Sequence, residues 1–278
     1  FCAKFSNVQV IIHSVHILPF VNVNFFNKFF YLFLEKITSF ITDYFICVSK
    51  GMMQEMLKYK ITSPKKCKVI HSGFDIKKFQ KAKRNINLIN NQQYRKKPNK
   101  FKILLMMGAF EKRKKQIEFL NIFDDLLKRH TNLLLIIVGA GQLLSQAKKR
   151  ADILKLKDRV FFEGFRNDPE NFIALSDICI MNSIREGLPR VVPQFIAAGK
   201  PVITSNLVGI EEIVKNHKNG FIFNRNKKNE LYKKIDLVLK NKKLLSKLSK
   251  GARNTNISKW SMHKMSKKIN LIYESLLK

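Results

Sequence analysis

The stretch Leu133-Leu-Leu-Ile-Ile-Val138-Gly139-Ala140-Gly141 decides the fold: an unbroken apolar run closed by a glycine turn. A strand with one wet face alternates apolar and polar residues, whereas an uninterrupted apolar run suits a strand covered on both faces in a parallel sheet. The same pattern repeats on either side. Upstream, residues 101–107 predict another such strand, followed by a helix over 116–129 with its apolar face at Ile117, Leu120, Phe123 and Leu127. Downstream, helices over 143–154, 170–175, 191–198 and 210–214 alternate with strands over 159–162, 178–181, 201–204 and 220–223. The tail from Asn229 reads as helical, with Trp260 and Tyr273 as its docking residues.

A shorter series of the same kind precedes it. Residues 8–12, 44–48 and 68–71 predict strands, and 26–40 and 52–59 predict helices. The most apolar stretch, 25–45, is broken by Lys28, Glu35, Lys36 and Asp43. It falls short of the roughly 20 clean apolar residues of a membrane span and reads as a buried helix followed by a strand. Residues 81–100 are polar, rich in Asn, Gln and Lys, with Pro98 near the end, and read as a linker. The expectation is an α/β protein of two Rossmann-like units with parallel sheets. Residues 1–80 form a partial first unit, 101–258 a second, and 259–278 a helix packing back toward the first. Because the first unit is short and the chain starts at Phe1, truncation at the N-terminus is expected.

Composition narrows the function classes. Of 278 residues, 53 are Lys or Arg and 20 are Asp or Glu, giving a net charge of +33. An anionic partner such as nucleic acid, a membrane surface or a phosphorylated substrate accounts for such a charge. So does drift toward A/T-rich codons, because Lys, Asn, Ile and Phe are all abundant and the charge is spread along the chain. No helix-turn-helix, zinc-finger or ribonucleoprotein motif is present, which argues against nucleic acid as a partner. The cysteines, Cys2, Cys47, Cys67 and Cys179, show no Cys-x-x-Cys pair and no His at metal-ligand spacing. No metal site is expected, and a reducing cytoplasm fits best.

In open α/β sheets ligands bind beyond the carboxyl ends of the strands, where helix N-termini offer free N–H groups. The segment Ser183-Ile-Arg-Glu186-Gly187-Leu188-Pro189-Arg190 leads from a strand through a turn into a helix carrying Gln194. Amides from Gly187 to Arg190 suit a phosphate or sugar hydroxyls. Pro189 has no N–H, so Leu188 and Arg190 are the better donors. Glu186 and Gln194 reach the same pocket from its two ends.

This segment resembles the signature of retaining family-4 glycosyltransferases with the GT-B fold, in which two Glu separated by seven residues frame the nucleotide-sugar site. The likeness runs in order along nearly the whole chain, through VIIHSVHILPF, DYFICVSKGMMQEML, KVIHSGFDIKKF, ILLMMGAFEKRKKQIEFL, LLLIIVGAGQL, VFFEGF and ALSDICIMNS to GIEEIV and NGFIF. The resemblance implies that Glu186 lies near the transferred sugar and its leaving phosphate. Gln194 stands where the second Glu normally bonds the ribose. Lys114 matches the Lys that neutralises the donor diphosphate beside Gly108, and Lys115 takes the following Gly position. The Arg of that motif is missing, because Ala109 follows Gly108; Arg113 or Lys112 is a substitute. His16 matches the acceptor-side His facing the donor sugar, while His13 is assigned to packing. Gly164, Phe165 and Arg166 are placed by the nucleobase.

The implied activity is metal-independent transfer, with retention, of a hexose-type sugar from a nucleotide-diphosphate sugar, a UDP-sugar first. The implied acceptor is a glycan or lipid-linked molecule in cell-surface polysaccharide or glycolipid synthesis, with no cofactor. The protein is expected in the cytoplasm, with an anionic membrane surface as a further partner at its inner face. An inactive relative is the alternative, motivated by Ala109, Gln194 and the short first unit. A basic nucleic-acid-binding protein is the remote one.

Overall fold

A computed structural model describes residues 2–277. Two parallel sheets organise the chain. The first contains β1 (Ile12–Val15), β2 (Tyr44–Cys47) and β3 (Cys67–Val69) in sequential order. The second contains β4 (Lys102–Met107), β5 (Leu133–Val138), β6 (Val160–Gly164), β7 (Ile178–Met181), β8 (Val202–Ser205) and β9 (Gly220–Phe223), ordered β6-β5-β4-β7-β8-β9. Every pairing is parallel. All residues of β5 are buried, as its unbroken apolar run requires. The two faces of β4 feed separate cores: Ile103 and Leu105 join one cluster, Leu104 and Met106 the other.

Several elements depart from expectation for identifiable reasons. The first strand begins at Ile12 rather than Val8, because Asp43 accepts from the Ile11 amide at 2.7 Å and the ladder starts at Ile12 opposite Tyr44. Helix Gln116–Leu127 buries Phe119 and Leu126 along with Leu120 and Phe123, so its inner face is rotated from the one expected, and Ile117 and Leu127 lie at its margin. Only a short 3-10 turn, Ile210–Glu212, forms where a helix over 210–214 was expected. Within 81–100, Ile89 and Tyr94 are fully buried and a short helix, Gln92–Lys96, forms, so this mostly exposed segment is anchored at those two side chains.

The largest correction concerns helix Phe25–Phe40, expected to be buried. None of its residues is fully buried, and six of its phenylalanines are exposed. At the other end of the chain, helix Met262–Leu276 packs Met265, Ile269 and Ile272 on Ile46 and Ile70 of the first sheet. Trp260 is buried there, edge-on to His71 at 4.8 Å, but Tyr273 is exposed rather than docked.

Candidate active site

The strand order of the second sheet reverses between β4 and β7, and such a switch point opens a crevice at the carboxyl ends of those two strands. The loop after β4 is shaped by close backbone contact. A Cβ on Gly139 would overlap the Gly108 carbonyl, and one on Gly141 would come within 2.7 Å of the Phe110 amide. The Gly139 N–H donates to the Gly164 carbonyl at 2.7 Å, and the Gly108 N–H to that of Val138 at 3.0 Å. Gln116 fixes the loop from above by donating to the carbonyls of Gly108 (3.3 Å) and Ala109 (2.9 Å).

This frame turns Lys112–Lys114 back over the sheet. Lys114 Nζ comes 2.5 Å from Glu186 Oε1, and Arg113 Nη1 comes 2.6 Å from the same oxygen. The Lys114 and Glu186 side chains are 12% and 10% exposed, so the pair is weakly screened. Both cations converge on this one oxygen. Burial works against the Arg113 charge, but the carboxylates of Glu186 and Glu111 offset it and hold the guanidinium above its usual range. Arg113 also receives the Ile184 amide on its carbonyl (2.8 Å) and donates to the Arg185 carbonyl (3.3 Å), tying the loops after β4 and β7 together.

The loop after β7 then meets the first sheet. Arg185 donates to the Pro19 carbonyl at 2.7 Å, and Asn22 to the Ile184 carbonyl at 2.9 Å. Gly187 has no room for a side chain, because a Cβ would overlap the His16 carbonyl and press on Met52. His16 itself is exposed. It lines a cavity of about 310 Å³ with Ser14, Ser72, Gly73 and Arg190, roofed by Met265 and Ile269. Arg190 spans the two halves by donating to the Gly73 carbonyl at 3.3 Å.

The structure thus gathers Gly108, Lys114 and Glu186 in one place, and His16, Gly187 and Arg190 along the adjoining wall. Lys115 is turned aside, its ammonium 3.2 Å from Glu118. Gly164 ends β6, two strands from β4, and Phe165 and Arg166 follow it; Phe165 is 76% exposed and Arg166 is engaged with Asp168 at 2.8 Å. Leu188 is buried, and Gln194 is half-buried in helix Val191–Ala197. His13 packs against Phe45 at 5.4 Å. Sequence reading missed Arg225, which donates to the Asn182 carbonyl at 2.8 Å and pairs with Glu118 at 3.0 Å. No signal in its neighbourhood marks it, since it follows β9 in an unremarkable polar loop. Among the described residues no group of three His, Cys, Asp or Glu could hold a metal ion.

Comparison with known proteins identifies the family and the fold. The family model for glycosyl transferases group 1 matches residues 89–255. The chain is 27% identical over 275 residues to an Escherichia coli UDP-Gal:alpha-D-GlcNAc-diphosphoundecaprenol alpha-1,3-galactosyltransferase, covering 98% of this chain and 70% of that protein. It is 25% identical over 223 residues to a Campylobacter jejuni diphospho-undecaprenol 4-alpha-N-acetylgalactosaminyltransferase, covering 80% and 57%. Among solved structures, Anabaena HepE in complex with UDP and glucose superposes with a TM-score of 0.79 at 20% identity, over 98% of this chain and 73% of that one. The two parallel sheets are those of the GT-B fold, and the chain belongs to the glycosyl transferases group 1 family.

Proposed function

We propose that this protein transfers a hexose-type sugar from a UDP-sugar to a lipid-linked acceptor, with retention, in the synthesis of a cell-surface glycan at the inner face of an anionic membrane. The observation that carries the proposal is Glu186 clasped by Lys114 and Arg113 at the switch point of the second sheet. Cleaving the bond between the anomeric carbon and the diphosphate leaves negative charge on phosphate oxygens. Two preorganised cations in a shielded crevice stabilise that charge more in the transition state than in the bound donor. Arg113 supplies from the turn the second cation that Ala109 cannot supply, and protein cations rather than a metal take up the leaving charge. Donor phosphate arriving at Lys114 competes with Glu186, freeing its carboxylate for the sugar hydroxyls.

Retention is supported by the names of the two relatives, which specify α products; UDP-galactose carries its sugar in the α configuration. Both names also specify diphosphoundecaprenol acceptors, hence the lipid-linked class proposed for this chain. His16, on the adjoining wall, faces the acceptor. Gly164 and Phe165 lie by the nucleobase, and Gln194 bonds the ribose in place of a carboxylate, at a cost of about 1 kcal/mol in charge-assisted bonding.

Thermal shift against UDP-, GDP- and ADP-sugars tests this reading. At about 100-fold excess over Kd the preferred donor adds roughly 2.7 kcal/mol of stability. Glu186→Ala should keep that shift and lose turnover by roughly 100-fold or more. No shift with any nucleotide sugar would favour an inactive relative, and a fully active Glu186→Ala would overturn the site assignment.

A further inference from the structure

Helix Phe25–Phe40 displays an apolar face that nothing among the described residues covers. Phe25, Phe26, Phe29, Phe30, Phe33 and Phe40 are between 58% and 89% exposed. At 100° per residue they fall within an arc of about 140°, while Tyr31 on the far side and Leu32 just beyond the Phe25 edge pack against the core. At the start of the helix the rings cluster, with Phe25 lying 6.0 Å from Phe26 and 5.4 Å from Phe29. Cations accompany it. Lys28 and Lys58 share the Tyr59 ring at 5.0 and 5.6 Å beside the face, and exposed Lys36 lies within the arc, its long stem able to carry the ammonium out to the headgroups.

An aromatic face of this extent on a water-facing helix marks an interaction surface. Among the occupants that fit it, charge separates a second copy of the chain from a lipid interface. Copies that each carry +33 repel one another, whereas the same charge draws the molecule to an anionic bilayer. The helix is about 24 Å long, and no helix among the described residues is long and apolar enough to cross a membrane. It therefore suits an in-plane position, with rings among the acyl chains and lysines at the headgroups. Its placement is also apt: Asn22, just before the helix, donates to the Ile184 carbonyl beside Glu186, so the apolar face begins at the mouth of the crevice.

We propose that helix Phe25–Phe40 docks this protein on an anionic bilayer by inserting Phe26, Phe29, Phe30 and Phe33. The proposal deepens the lipid-linked acceptor reading and rests on it for its purpose, but its test does not depend on donor binding.

The test is flotation of the full chain with vesicles of phosphatidylcholine plus phosphatidylglycerol, against phosphatidylcholine alone. The triple change Phe26→Ser, Phe30→Ser, Phe33→Ser should cut binding to the anionic vesicles roughly tenfold or more, with melting temperature and nucleotide-sugar shift unchanged. Independently, Phe33→Trp should give blue-shifted emission that brominated lipid quenches, over the constant background of buried Trp260. Equal flotation of the triple variant, an unquenched Trp on bound protein, or a solution dimer that the triple variant dissolves would each overturn the proposal. Intact flotation with no response to any nucleotide sugar would instead sink the functional reading and leave the docking surface standing.

Discussion

Lys115 occupies the left-handed region, with φ 57° and ψ 34°, at the joint between the Lys112–Lys114 turn and helix Gln116–Leu127. A side chain there costs roughly 1–2 kcal/mol, and its one visible compensation is an exposed pair with Glu118, worth well under 1 kcal/mol. The glycine that the resembled motif carries at this position thus has a mechanical reason. Lys115→Gly should melt at or above the wild-type temperature, while Lys115→Val should fall below the glycine variant by roughly 1–2 kcal/mol. Thermal denaturation decides, and equal melting of the two variants would show the joint to be unstrained. Lys114 and Glu186 were legible in the sequence because each follows a recognisable strand within a motif. Arg113 was only a candidate, because its motif position at Ala109 is vacant and its reach to Glu186 depends on a turn that linear spacing does not reveal.

At the scale of elements, the loop after β7 and the His16 loop are in contact as backbones. Gly187→Ala would drive a methyl group into the His16 carbonyl, a backbone group that a side-chain rotation cannot clear, and toward Met52 Sδ at 3.0 Å. Overpacking of this kind costs about 1–3 kcal/mol. The variant should lose stability, and turnover should fall more than donor affinity, because the wall bearing His16 moves away from Glu186. Melting temperature together with kcat and Kd for the donor provides the check; a change in donor affinity alone would contradict it. Strand and helix order was readable because apolar runs such as Leu133–Val138 are specific to buried parallel strands. Helix Phe25–Phe40 was misread because apolar content alone cannot say whether a face meets protein or something else. The first strand was displaced because the Asp43 contact to the Ile11 amide, invisible in local sequence, sets where the ladder begins.

Across the whole molecule, one carboxylate joins the two sheets. Glu212, beyond β8, lies 3.0 Å from His71 Nε2 and accepts from the Lys50 amide at 2.6 Å. Burial pushes its carboxyl up, but the His71 and Lys50 hydrogen bonds outweigh it and hold the group below its ordinary value of 4.5. A carboxylate depressed on folding stabilises above its unfolded pKa, and that contribution fades as pH falls through the folded value. Glu212→Gln should therefore melt below wild type at neutral pH, and the two curves should converge in acid below pH 4.5. A gap that stays constant with pH would mean the charge contributes nothing. The same contact has a further consequence. Ser49 caps the Met52 amide of helix Lys50–Lys58 locally, but the Lys50 amide has no acceptor within its own helix and uses Glu212, 162 positions along the chain. Any separation of the two halves exposes the Lys50 amide to solvent, so its deuterium uptake becomes a built-in clock for cleft opening.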